Sequence, residues 1–78
     1  MNKKVILYSQ PGCMSCTKVK EFLSQNKNEY TDRNVAADES ALADLEKLGY
    51  MTTPVTVVDG EVVVGFDRTK LEKLLLQS

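Results

Sequence analysis

Hydrophobic and polar positions along the chain follow two different periods, and the switches between them mark out the elements. Val5-Ile6-Leu7-Tyr8 is a continuous apolar run bounded by Ser9, Gln10, Pro11 and Gly12. A short unbroken run of this kind predicts a strand buried on both faces, hence a central one. From Met14 the period becomes helical: Cys16, Val19, Phe22 and Leu23 recur at three- and four-residue steps, while Lys18, Lys20 and Glu21 fall elsewhere on the wheel. This predicts a helix over 14–26 with Cys16 on its inner face and Cys13 at its exposed start. Asn26-Lys27-Asn28 breaks it, and residues 29–34 follow as a polar strand anchored by Tyr30, suited to a sheet edge. Asp38 caps a second helix running to Leu48, with Leu42, Leu45 and Leu48 on one face and Gly49 as its terminator.

The C-terminal third carries the strongest local signal. Val55-Thr56-Val57-Val58 and Glu61-Val62-Val63-Val64 are β-branched runs joined by Asp59-Gly60, the dipeptide that most favours a two-residue hairpin. Gly65-Phe66-Asp67 then leads into a last helix over 68–77, capped by Asp67 and carrying Leu71, Leu74 and Leu75 at helical spacing. Tyr8, Phe22 and Tyr30 read as core. The order β-α-β-α-β-β-α implies an α/β fold, in which a right-handed crossover makes a parallel pair, a hairpin extends the sheet, and helices cover both faces. No repeat or linker divides the 78 residues, so one domain over 1–78 is expected. A reactive group belongs beyond the C-terminal edge of the first strand, in the turn where Cys13 lies.

Ten basic and eleven acidic residues leave a net charge of −1, and no block of one sign makes a nucleic-acid or membrane patch. Met1-Asn2-Lys3-Lys4 has the basic character of a leader, but the apolar run behind it is only four residues long. Gln10 and Pro11 replace the small and apolar residues that a lipidated Cys13 would require. The start is read as that of a mature cytoplasmic protein.

Cys13 and Cys16 are the only cysteines, and there is no histidine. A disulfide closing so short a loop removes only about 2 kcal/mol of unfolded-chain entropy, so the spacing suits chemistry better than stapling. A structural zinc needs four ligands, and two thiolates do not complete a set. No metal site is expected within one chain. A thiol at the first turn of a helix meets unpaired backbone N–H groups and the positive end of the helix dipole, which favour the thiolate. A second thiol one turn along can attack a disulfide formed by the first. The pair therefore reads as a two-electron switch.

Tyr8-Ser9-Gln10-Pro11-Gly12-Cys13-Met14-Ser15-Cys16, Thr53-Pro54 ahead of the hairpin and Gly65-Phe66-Asp67 before the last helix stand in an order that resembles the glutaredoxin family over essentially the whole chain. Val64-Gly65-Phe66-Asp67 and the amphipathic helix behind it resemble the small bacterial glutaredoxin-like redoxins. The resemblance implies a thioredoxin-like fold with sheet order 2-1-3-4, Cys13 as the exposed nucleophile and Cys16 as the resolving thiol. It also implies a cis Thr53-Pro54 bond, which turns the Thr53 backbone outward to pair with an extended thiol-containing substrate. Gly65, Phe66 and Asp67 would carry the other end of that substrate, with the last helix holding a carboxylate at its N-terminus.

The implied activity is that of a monomeric, cytoplasmic thiol-disulfide oxidoreductase, an electron carrier acting on protein disulfides and mixed disulfides. It would bind no cofactor, take glutathione or another low-molecular-weight thiol as co-substrate, and be regenerated by glutathione or thioredoxin reductase. The departures bear on glutathione. Many glutaredoxins have Pro-Tyr between the cysteines and a cation three residues before the first, where this chain has Met14-Ser15 and Gln10. The familiar Gly-Gly before the last helix is Gly65-Phe66. Gln10 and Met14 flank Cys13 and must touch whatever binds there, with Lys18 left as the nearest cation. Two alternatives stay open: a redoxin fed by thioredoxin reductase that supplies ribonucleotide reductase, and a dimeric iron–sulfur carrier with a small thiol completing the coordination.

Overall fold

The computed structural model describes residues 4–26 and 29–76. Along the chain it contains β1 (Val5–Ser9), α1 (Met14–Gln25), β2 (Thr31–Asn34), α2 (Glu39–Lys47), β3 (Val55–Val58), β4 (Glu61–Val64) and α3 (Arg68–Leu76). The four strands form one sheet in the order β2-β1-β3-β4. β1 runs parallel to β2, while β1 with β3 and β3 with β4 pair antiparallel. The β1-α1-β2 crossover and the β3-β4 hairpin thus meet on the central apolar run, which is why that run has no polar face.

Two cores follow from the alternation of side chains. Val5, Leu7, Val58 and Val63 face Val19, Phe22 and Leu23 of α1 and Leu71 and Leu75 of α3. On the other side, Tyr8 and Val55 pack with Val35 and with Ala41 and Leu45 of α2. Helices α1 and α3 therefore share one face and α2 covers the other. Complete burial of a leucine such as Leu7, Leu23 or Leu71 contributes about 2 kcal/mol each.

The hairpin forms as its sequence predicts. Asp59 at φ 49° and Gly60 at φ 90° supply the two left-handed residues that its turn requires. The Lys4 N–H donates to Asp59 Oδ1 at 2.8 Å, and the Asp59 N–H donates to the Lys4 carbonyl at 2.9 Å, closing that end of the sheet. On the outer strand β4, the Lys70 Nζ reaches back to donate to the Val62 carbonyl at 2.9 Å.

Two expectations, on β2 and on the inner face of α2, need correction. β2 begins at Thr31 rather than at 29, and Tyr30 is half-buried against the first core instead of within it. The inner line of α2 is Ala41 and Leu45, while Leu42 and Leu48 stay 37% and 40% exposed. A helix advances about 100° per residue, so a face centred on the Ala41–Leu45 step leaves Leu42 at its margin. α1 ends at Gln25, with Asn26 as its cap. The expected break at Lys27-Asn28 and the end of the last helix at Gln77 lie outside the described residues.

Beside β2, the Ser9 hydroxyl donates to Asp32 Oδ1 at 2.6 Å and Lys20 Nζ stands 3.0 Å from Oδ2. Burial pushes the Asp32 carboxyl up, but the Ser9 bond and the Lys20 charge outweigh it and hold the group below the usual carboxylate range. A depressed native pKa adds stability above the unfolded value and loses it as the pH falls through the native one. Asp32→Asn is therefore expected to lower stability at pH 7 by under about 1 kcal/mol. In urea unfolding the difference from wild type should close as the pH falls below about 4.

Candidate active site

β1 ends at Ser9, and the chain turns through Pro11 and Gly12 into α1. Gly12 has φ 77° with open space around its α-carbon, so the turn asks for glycine by backbone conformation and not by crowding. Cys13 follows in extended conformation, φ −96° and ψ 108°, as the N-cap of α1. Its Sγ accepts from the Cys16 N–H at 3.2 Å, and its carbonyl accepts from the Thr17 N–H at 3.2 Å and the Thr17 hydroxyl at 3.3 Å. The sulfur thus occupies the place that a serine or aspartate oxygen takes in an ordinary cap. No acidic residue lies in the first turn of α1 to oppose a negative charge there.

Cys16, one turn on, is 2% exposed, and the two cysteines are joined in a disulfide. Facing them, the Thr53-Pro54 peptide is cis and the Thr53 hydroxyl stands 3.9 Å from Cys13 Sγ. The Pro54 carbonyl accepts from the Gly65 N–H at 2.8 Å, fastening the start of β3 to the end of β4. Gln10, Cys13, Thr52 and Thr53 line a groove of about 300 Å³ together with Val35, Leu42, Leu45 and Met51. Among the described residues, no charged side chain lines it. Met51 lines it while 78% exposed; Met14, 79% exposed, does not line it.

The structure brings Gln10, Cys13 and Thr53 into one groove, sets Cys16 and Pro54 buried behind it, and leaves Met14 outside on the first residue of α1. Phe66 and Asp67 lie elsewhere, at the start of α3. The Phe66 ring packs edge-on against Phe22 at 6.3 Å and borders a second groove with Lys18 and Arg68. Asp67 caps α3, its Oδ1 accepting from the Lys70 N–H at 3.1 Å. Lys18 belongs to that second groove and not to the one at Cys13.

Sequence reading missed Met51, Leu42 and Val35 as groove residues. The helical spacing of Leu42, Leu45 and Leu48 places Leu42 on the core face of α2. Met51 left one usable signal, a lone large apolar side chain between Tyr50 and the polar Thr52-Thr53. Also unforeseen was Arg33, which pairs with Asp44, donates to the Ser40 hydroxyl at 2.9 Å and lies 5.8 Å over the Tyr8 ring. Asp44 holds that guanidinium above its ordinary range. The cluster ties α2 to the sheet beneath the groove.

The sequence profile of the glutaredoxin family matches residues 5–63. A glutaredoxin-like 8.6 kDa protein of the rubredoxin operon of Clostridium pasteurianum is 34% identical over 70 residues, covering 88% of this chain and 93% of that one. Glutaredoxin-like protein NrdH of Lactococcus lactis subsp. cremoris is 29% identical over 70 residues, covering 90% and 97%. The crystal structure of the thioredoxin-like protein BC3987 superposes with a TM-score of 0.88 at 42% identity, covering 92% of this chain and 100% of that one. With a four-stranded sheet in the expected order and a cysteine pair capping its first helix, the chain belongs to the glutaredoxin family of thiol-disulfide redox proteins.

Proposed function

We propose that the protein reduces disulfides of protein substrates through a dithiol cycle, with Cys13 as the attacking thiol and Cys16 as the resolving one. The observation that carries this reading is the cap: Cys13 Sγ accepts from the Cys16 N–H at 3.2 Å while Cys16 itself is buried. A backbone N–H and the helix dipole both favour the thiolate at Cys13. That thiolate attacks one sulfur of the substrate disulfide, and the other sulfur leaves and takes up a proton. Cys16 then attacks Cys13 Sγ, the second substrate thiolate leaves, and the Cys13–Cys16 disulfide forms. Two electrons pass from the protein to the substrate in each cycle.

The groove refines the choice of partner. Glutathione carries carboxylates, and among the described residues the groove offers them no cation, since Gln10 lines it and Lys18 faces away. Val35, Leu42, Leu45 and Met51 suit instead an apolar side chain beside the reacting cysteine of an extended protein segment. The outward backbone of Thr53 pairs with that segment as an added strand. Gly65, whose N–H is bonded to the Pro54 carbonyl, carries its continuation, while Phe66 and Asp67 stand apart at the start of α3. The reductant in this reading is thioredoxin reductase, which presents a protein dithiol, and not glutathione.

The test supplies NADPH with either thioredoxin reductase or glutathione and its reductase, and follows reduction of a protein disulfide. Faster turnover with thioredoxin reductase is expected; equal or faster turnover through glutathione overturns the choice of reductant. Met51→Glu sets a carboxylate at the apolar margin, whose desolvation opposes docking of an apolar segment. A fall of about tenfold in kcat/KM for the protein disulfide is expected, equivalent to about 1.4 kcal/mol, with the unfolding midpoint unchanged because Met51 is exposed. An unchanged kcat/KM removes the groove from the docking site.

A further inference from the structure

Among the described residues, Thr56 is the buried polar side chain that the fold leaves without a partner. It is fully buried, and its Oγ1 makes no hydrogen bond. The other fully enclosed polar side chain, Ser9, donates to Asp32. A buried hydroxyl without a partner is destabilising, and an apolar residue of the same shape would remove the cost.

Its placement suggests what it serves. Thr56 lies directly across from Leu7 on β1 and from Val63 on β4, both members of the core beneath α1 and α3. Residues directly opposite in a ladder share a face, so the Thr56 side chain enters that same layer. Cys16 is buried on the inner line of α1 with Val19, Phe22 and Leu23, the three of which pack in that layer. The two segments start side by side, with the Thr53 hydroxyl 3.9 Å from Cys13 Sγ. Both then run away from the site, since α1 leaves from Cys13 and β3 leaves from Pro54. Cys16 is the first buried residue inward on α1, and Thr56 is the first polar one inward on β3.

We infer that Thr56 is the polar partner of Cys16 in the reduced protein, a positioning residue that is satisfied only when the disulfide is open. In the oxidised protein the Cys16 sulfur is bonded to Cys13, and the hydroxyl has no partner. A dithiol reductant delivers two electrons and two protons, becomes a disulfide itself, and cleaves the Cys13–Cys16 bond. Cys16 is then left as a thiol or thiolate inside an apolar layer, and the Thr56 hydroxyl donates to it. The hydroxyl therefore favours the reduced form, and it steadies the sulfur that must attack the mixed disulfide. The inference rests on the dithiol reading given above.

The test is the equilibrium of the Cys13–Cys16 couple against a glutathione redox buffer, read by alkylation and mass in the wild type, Thr56→Val and Thr56→Ser. Thr56→Val keeps the shape and removes the hydroxyl. It is expected to lower the equilibrium constant for reduction about tenfold, a shift of about 30 mV to more negative potential. Thr56→Ser keeps the hydroxyl and should match the wild type. Unfolding midpoints are the second measurement: Thr56→Val should raise that of the oxidised form more than that of the reduced form. Equal potentials for wild type and Thr56→Val, or a serine variant shifted as far as the valine one, overturns the inference. A wild-type pair that does not titrate at all refutes the dithiol reading instead, so the two failures are distinct.

Discussion

Cys13→Ser is expected to abolish disulfide reduction, lowering turnover by at least about a thousandfold, the scale on which enzymes lose activity when a nucleophile is removed. A serine hydroxyl does not ionise near neutral pH and does not displace sulfur from sulfur, so no other group in the groove replaces the thiolate. The fold should survive, because serine is among the best N-caps and its oxygen can accept the Cys16 N–H that the sulfur accepts now. Loss of the short-loop disulfide removes only about 2 kcal/mol of unfolded-chain entropy. Comparing the variant with the reduced wild type by circular dichroism and thermal unfolding separates lost chemistry from lost structure. Retained protein-disulfide reduction in a folded Cys13→Ser protein would remove Cys13 from the mechanism.

Cys16→Ser is expected to stop the cycle at a different point. Cys13 keeps its cap, because the donor at that position is a backbone N–H and not a side chain. The first attack therefore proceeds and the mixed disulfide accumulates, since nothing at the buried position can resolve it. Incubation with an oxidised protein substrate should give a covalent one-to-one adduct, visible as added mass and released by dithiothreitol. Multiple turnover should fall by about a hundredfold or more, a barrier increase of about 2.7 kcal/mol. If no adduct forms although Cys13 remains alkylatable, Cys16 is not the resolving thiol.

Much of this arrangement is legible in the sequence, and the reasons are local. The apolar run at Val5 to Tyr8, the Asp59-Gly60 turn and the helical spacing of Cys16, Val19, Phe22 and Leu23 each depend on neighbours within a few residues. All three elements form where expected. The burial of Cys16 follows from the same helical period, while Cys13, expected to be exposed at the helix start, is half-buried. What failed depends on packing between distant segments. The margin position of Leu42 is set by where α2 lands on the sheet, a landing fixed in part by Arg33 reaching Asp44 and Ser40. The groove wall of Val35, Leu42, Leu45 and Met51 comes from three separate stretches of chain, and no local pattern joins them. That Cys13 caps its own helix was within reach of sequence, since a cysteine at the position where serine or aspartate belongs is the signal.

The outer strand of the sheet has a further consequence for how copies of the molecule behave at high concentration. A hairpin strand at a sheet's rim presents carbonyls and amides that a second chain can match, and such rims seed aggregates. Val64 on β4 is 45% exposed, so the rim has apolar side chains to offer as well. The Lys70 ammonium bonded to the Val62 carbonyl fills a place in the middle of that row. An incoming strand must displace a charged group from its acceptor before it can pair there. The same turn of α3 whose cap orders the start of the helix therefore also guards the rim against polymerisation.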